Sequence, residues 1–281
     1  CLLQATQSSK PSCGQQALKF TCSMETMSQS KATAAQHALL HHYFESLTMA
    51  ELSGKVAIVT GSSSGIGEAI ARSLHALGAS VVINSSSSVE AGQKIAASLG
   101  ENAIYVQADI SDKAAGQRLI DETLKQFGQL DILINNAGWT TLIAHHDLEA
   151  LTDEIFQKTF DVNVTGTWML TKAAMPHLKK SDDGNVVNIT SVAGVRPIGS
   201  SMAYSMTKAA LNQMTVLLAK SCGPVRVNAV APGLVETPWT KDWQNQHDAV
   251  KAVTPLHRSA TMEDCVQATL GLLRTKYATG Q

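Results

Sequence analysis

From Lys55 onward the sequence alternates short apolar runs with longer helical periods, and this alternation restricts the fold more than any other feature. Val56–Thr60, Ser80–Asn84, Ala103–Gln107, Asp131–Ile134, Asn185–Thr190 and Val225–Val230 read as strands. Helical periods fall near Ile66–Leu77, Val89–Leu99, Lys113–Phe127, Asp153–Leu178 and Met202–Ser221. Strands that are apolar along their whole length belong to a parallel sheet buried on both faces. Right-handed crossovers then give a doubly wound α/β sheet with helices on both faces, in a single domain over residues 49–281. Such a sheet binds ligands beyond the carboxyl ends of its strands.

Residues 1–48 have a different character. They are rich in Ser, Gln, Thr and Ala, hold only Glu25 and Glu45 as acids, and show no strand pattern. The expectation is a disordered or non-native leader, with Met49 as a natural start before the first strand. Few acids and many hydroxyl residues would also suit an organellar transit peptide, although arginine is absent there. A cytoplasmic location is expected, or an organellar one if the leader is a genuine transit segment. The net charge of −1 argues against nucleic acid or an anionic membrane as partner. No apolar run reaches the roughly 18–20 residues of a membrane span. Cys1, Cys13, Cys22, Cys222 and Cys265 lack paired zinc spacing and read as free thiols. No metal site is expected; His37, His41 and His42 read as solvated leader residues.

The first strand runs straight into Thr60-Gly61-Ser62-Ser63-Ser64-Gly65-Ile66-Gly67 and then a helix. Glycines let a backbone turn tightly and approach a diphosphate, and the helix N-terminus offers it unpaired amides and partial positive charge. Gly61, Ser63, Ser64, Gly65, Ile66 and Gly67 are therefore candidate cofactor contacts. An acid at the end of the second strand would repel a 2′-phosphate. This chain has Asn84-Ser85-Ser86-Ser87-Ser88 there, with no acid before Glu90. Asn84, Ser85 and Ser86 thus favour NADP, with NAD possible, and Ser62 and Ser63 are candidate helpers. Asp109, followed by Ile110, closes the third strand, where a carboxylate can meet the adenine amino group. Asn135-Asn136-Ala137-Gly138 closes the fourth; its amides can tie strand ends together while Asn136, Ala137 and Gly138 leave room for the cofactor.

Tyr204 and Lys208 stand one helical turn apart, and Ser191 lies thirteen residues earlier at a strand's carboxyl end. A free phenol ionises near 10, too high for proton exchange at neutral pH. An ammonium roughly 4–5 Å away would favour the phenolate by about 3–4 kcal/mol at an effective dielectric near 20. The spacing therefore predicts a phenol drawn down towards neutrality. Of the four tyrosines, only Tyr204 has a lysine at this offset. The Ser191 hydroxyl is placed to orient a substrate oxygen.

Taken together, Thr60–Gly67, Asn135–Gly138, Asn163 in Asp161-Val162-Asn163-Val164, Ser191, Tyr204 with Lys208, and Pro232-Gly233 resemble the short-chain dehydrogenase/reductase family. The resemblance runs from about Leu52 to Gln281 and is similar in overall look to 3-oxoacyl-carrier-protein reductases. It implies a Rossmann fold and a catalytic group of Asn163, Ser191, Tyr204 and Lys208. It further implies that Asn163 kinks its helix and holds a water linked to Lys208, that Tyr204 and Lys208 also meet the cofactor, and that Pro232, Gly233, Val235 and Thr237 contact it. Members continue past a Thr-Gly-Gln like Thr279-Gly280-Gln281 into another strand, so a C-terminally truncated sequence is expected.

The expected function is NAD(P)-dependent interconversion of a ketone and a secondary alcohol, on a 3-oxoacyl thioester or a general carbonyl substrate. A sugar, polyol or steroid alcohol stands as the alternative, as does a non-catalytic dinucleotide-binding scaffold. Residues 234–258 read as a substrate lid bearing Trp239, Trp243, Lys241, Gln244 and His247, with Trp139 beside the same cleft. His145 and His146 read as solvent-exposed loop residues. Two helices carry more apolar surface than one sheet face covers, notably through Trp168, Leu170, Met206, Leu211, Val216 and Leu217. A homodimer or homotetramer is the expected assembly.

Overall fold

The computed structural model describes residues 51–281; residues 1–50, with Cys1, Cys13, Cys22, His37, His41, His42 and the stretch expected as a leader, lie outside them. Six parallel strands form one sheet: β1 (Val56–Val59), β2 (Ser80–Ser85), β3 (Ala103–Gln107), β4 (Ile132–Asn135), β5 (Asn185–Ile189) and β6 (Arg226–Val230). Their spatial order is β3-β2-β1-β4-β5-β6, so the winding reverses between β1 and β4. This is the doubly wound Rossmann-type arrangement, and the reversal opens a crevice at the carboxyl ends of the strands.

Alternating side chains of each strand feed two cores. On one face, Val59, Val81, Ile83 and Ile134 pack under Ile70 and Leu74 of α1 (Gly65–Ala76) and Ile95 of α2 (Val89–Leu99). On the other, Ile58, Val82, Leu133 and Val186 meet Leu119 and Ile120 of α3 (Lys113–Phe127). Most of these aliphatic groups are completely shielded from solvent. At about 25 cal/mol per Å² of apolar area, that burial is the main force holding the layers together.

The single long helix expected over 153–178 is three pieces. α4 (Asp153–Phe160) passes through a π-helical turn, Asp161–Gly166, into α5 (Thr167–Leu178). Gly166 permits the close packing at this turn, because a Cβ there would lie 2.8 Å from the Ile110 carbonyl oxygen. After α6 (Met202–Ser221) and β6 come two helices that the periodicity reading did not resolve: α7 (Gln244–Val253), inside the expected lid, and α8 (Met262–Arg274). α8 starts with a reciprocal capping box between Thr261 and Asp264, and its Val266 and Leu270 complete the first core.

On α5 and α6, Leu170 and Leu211 enter the interior, whereas Trp168, Met206, Val216 and Leu217 remain exposed. Cys222 and Cys265 are free thiols. Along the outer edge of β6, Gly280 N donates to Val227 O (2.8 Å) and Ala229 N donates to Gln281 O (2.7 Å). No helix among the described residues is long and apolar enough to cross a membrane.

Candidate active site

A cavity of about 990 Å³ lies at the carboxyl ends of the strands. The glycine-rich turn forms one end, with Gly61, Ser63, Ser64, Gly65 and Ile66 on its wall. Gly61 and Gly65 both take positive φ, 61° and 62°, where a side chain would strain the backbone. Gly67 does not line the cavity. A Cβ there would approach Asn136 Nδ2 and Gly61 O at 2.5 Å each, so this glycine serves close packing beneath the turn.

Ser62 is a correction to the phosphate-helper expectation. It is fully buried, its hydroxyl donates to Val59 O (2.6 Å), and it accepts from Asn84 N (3.0 Å). Asn84 reaches the cavity wall, but its amide donates to Val106 O and Ala108 O, so it ties β2 to the end of β3. The Ser85 hydroxyl pairs with Tyr105 Oη at 2.9 Å. Ser86, Ser87 and Ser88 complete this wall, and Asp109 and Ile110 border the same end.

At the switch point, Asn136 Nδ2 donates to the carbonyls of Thr60 and Gly61, at 2.9 and 3.0 Å. Thr60 Oγ1 in turn accepts from the backbone N–H groups of Asn136 and Ala137. Asn135 donates to Thr171 Oγ1 and Asn188 Oδ1, and Asn188 donates to Thr215 Oγ1. These buried amides hold β4, β5, α5 and α6 in register below the site. Ala137 and Gly138 line the cavity above them.

Ser191 follows β5 and caps a short 3₁₀ turn, Val192–Gly194, accepting from Ala193 N at 3.1 Å. Gly194 lets that turn touch α6, since a Cβ there would come 2.6 Å from the Lys208 carbonyl carbon. Tyr204 and Lys208 rise from the same helix, and Lys208 Nζ lies 5.5 Å from the Tyr204 ring centroid. Lys208 is only 4% exposed and donates to Ile189 O at 2.8 Å. Ser191, Tyr204 and Lys208 all face the one cavity.

The electrostatics differ from the expected lowered phenol. Burial raises the Tyr204 phenol above its ordinary value, and a hydrogen bond with Ser191 opposes the rise. Burial lowers Lys208 to about 8. Withdrawal from water disfavours both charged forms, and this outweighs attraction across the observed spacing. At neutral pH the phenol keeps its proton and Lys208 remains mostly an ammonium, the state suited to giving a proton away.

Asn163 sits in the π-helical turn, is fully buried, and does not itself line the cavity. Its Oδ1 accepts from Trp139 N (2.7 Å), and its Nδ2 donates to Trp139 O (3.0 Å) and Thr207 Oγ1 (3.0 Å). The Thr207 hydroxyl donates onward to Tyr204 O at 2.7 Å. Pro232, Val235 and Thr237 line the wall facing the glycine-rich turn, where the Thr237 side chain would lie 3.8 Å from a Cβ on Gly65; Gly233 does not line it. The roles of Asn188 and Thr207 escaped the sequence reading. His145 is half-buried rather than exposed, and its Nε2 has no hydrogen-bond partner.

The turn that its left-handed glycines favour, the helix behind it and the long cavity fit a dinucleotide, which residues 61–66 would hold by its diphosphate. The sequence signature described as short chain dehydrogenase matches residues 55–248. The chain belongs to the short-chain dehydrogenase family. It is thus an NAD(P)-dependent oxidoreductase acting between carbonyl and alcohol. Its relatives include "Granaticin polyketide synthase putative ketoacyl reductase 2" of Streptomyces violaceoruber, 50% identical over 80% of this chain and 92% of that protein. A 3-oxoacyl-[acyl-carrier-protein] reductase of Synechocystis is 37% identical over 83% of this chain and 96% of its own. Among solved structures, a 3-ketoacyl-(acyl-carrier-protein) reductase from Brucella melitensis in complex with NADH has a TM-score of 0.75 and 31% identity, covering 82% of this chain and 95% of that one.

Proposed function

We propose that this dehydrogenase reduces a ketone to a secondary alcohol with NADPH, with 3-oxoacyl thioesters and related carbonyl compounds as its substrate class. The observation that carries this reading is the convergence of Ser191, Tyr204 and Lys208 on one cavity, where burial raises the Tyr204 phenol and favours its protonated form. When bound, the nicotinamide supplies the hydride. Tyr204 Oη then gives its proton to the substrate oxygen, which Ser191 Oγ orients. The Lys208 ammonium stabilises the negative charge left on the phenol. The side-chain amide of Asn163 is committed to Trp139 and Thr207. A water link from Asn163 to Lys208 would therefore use its main-chain carbonyl. Relatives whose names include ketoacyl and 3-oxoacyl reductases support the substrate class.

The preference for NADPH rests on the wall at the end of β2, which presents Ser86, Ser87 and Ser88 and no carboxylate of its own. The exposed Trp168, Met206, Val216 and Leu217 on α5 and α6 support a homodimer or homotetramer built across these helices. Tyr204→Phe tests the central assignment: NADPH binding persists while turnover of an acetoacetyl thioester drops by about a thousandfold. Turnover within tenfold of the parent would remove Tyr204 from the proton-donor role.

A further inference from the structure

Three of the four tryptophans of this chain line the one cavity that holds Ser191, Tyr204 and Lys208. They come from two separate segments. Trp139 extends the end of β4, whereas Trp239 and Trp243 lie between β6 and α7. The fourth, Trp168, stands on α5 and does not line the cavity.

Their backbones are fixed by buried polar groups rather than carried on a loose lid. Asn163 holds the Trp139 main chain through both its N–H and its carbonyl. Between Trp239 and Trp243, Thr240 is buried; its hydroxyl donates to Val235 O at 2.6 Å, and its carbonyl accepts from Trp243 N at 3.0 Å. That carbonyl also accepts from His247 Nε2 at 3.2 Å, leaving His247 Nδ1 to accept from Ser259 Oγ at 2.7 Å. The base of the segment is closed by Glu236 N to Ala260 O and Ala260 N to Leu234 O, both 2.9 Å. On this wall Trp239 is 54% exposed and Leu142 53% exposed, while one face of the Trp139 ring is covered by Lys158 Nζ, 4.4 Å from its centroid. Large apolar faces held open at a catalytic cavity gain free energy when a ligand covers them, and a prearranged wall loses little freedom in doing so.

From this we infer that the substrate end is an aromatic slot selecting ketones borne on a flat, conjugated ring system over linear acyl ketones of equal size. Indole faces offer offset stacking to a planar π system and only contact area to an aliphatic chain. The ring also enters without freezing a series of rotors, a cost the linear chain must meet. The inference rests on the ketone-reductase reading above and, among its carbonyl substrates, ranks ring-borne ketones ahead of simple linear acyl ketones.

The test compares 2-tetralone with 2-decanone, ketones of equal carbon number, using the full protein with NADPH. The expected kcat/KM favours the bicyclic ketone by about tenfold or more. Trp239→Ala and Trp243→Ala should each cut that preference severalfold through KM for the ring, and the corresponding Phe variants should restore most of it. A binding arm uses the Trp168→Phe protein with NADP⁺, so that fluorescence reports only the cavity tryptophans. Titrated 2-tetralone should quench it saturably, with weaker affinity after Trp239→Ala. Equal kcat/KM for the two ketones, or no saturable quenching, overturns the slot. Saturable quenching without reduction of any ketone would instead uphold the slot and overturn the ketone-reductase reading.

Discussion

Asn163 grips Trp139 by both polar groups of its main chain, accepting its N–H at 2.7 Å and donating to its carbonyl at 3.0 Å. Because Asn163 also donates to Thr207 on the helix of Tyr204, one side chain couples the cavity wall to the helix that carries the proposed proton donor. Asn163→Ala leaves the part-buried Trp139 N–H without its partner. The expected cost is about 2–3 kcal/mol of stability, together with a loss of turnover beyond what the fraction unfolded explains. Urea denaturation and kcat at a temperature where the variant is fully folded separate the two effects. A variant as stable as the parent would show the grip to be dispensable.

Cofactor choice turns on the serines after β2. Ser86→Asp places a carboxylate on the wall where a 2′-phosphate would lie, and repulsion should raise the Kd for NADPH by at least about tenfold. NADH should bind as well as before or better. Fluorescence titration of both cofactors measures this, and an unchanged ratio would move the phosphate away from Ser86.

The strands and most helices could be read from periodicity because the inner strands are buried on both faces, so their runs are almost wholly apolar. Residues 153–178 read as one helix because the backbone stays helical through the π-helical turn, and only Asn163 and Gly166 mark it. α8 carried a readable start in Thr261 and Asp264, while its period went unused. Ser62 looked like a phosphate ligand from composition, yet its position puts the hydroxyl under the turn. Which of several neighbouring serines faces a ligand depends on backbone direction, and residue type does not encode that. The Tyr204–Lys208 spacing put both groups on the one cavity, but burial there raises the phenol where the spacing alone predicted a lowering. Spacing fixes distance along a helix, but exclusion of water depends on everything packed around it.

The exposed apolar row on α5 and α6 gives an assembly prediction. Leu217, 55% exposed, should be covered in the oligomer. Leu217→Glu would then bury an unpaired carboxylate at the contact and shift sedimentation towards the monomer. In a monomer that residue is already solvated, so the same change would alter neither mass nor stability.

Lys208 makes activity and stability move in opposite directions with pH. Burial lowers its ordinary value of 10.5 to about 8 in the folded chain. Below about 8 both folded and unfolded chains carry the proton, and the folded state bears the full cost of burying the ammonium. Between about 8 and 10.5 the unfolded chain binds more protons, so stability rises with pH across that window. A gap of this size corresponds to about 3 kcal/mol. In the proposed mechanism reduction needs the ammonium, so kcat should fall over the same interval, starting near pH 8. In Lys208→Met the stability rise should vanish along with turnover. Denaturation at pH 7 and pH 9.5 on both proteins checks the first half, and a kcat profile on the parent checks the second. Parallel stability profiles for parent and variant would mean that this lysine is not the group titrating, and the source of the proton-transfer field would have to be sought elsewhere in the cavity.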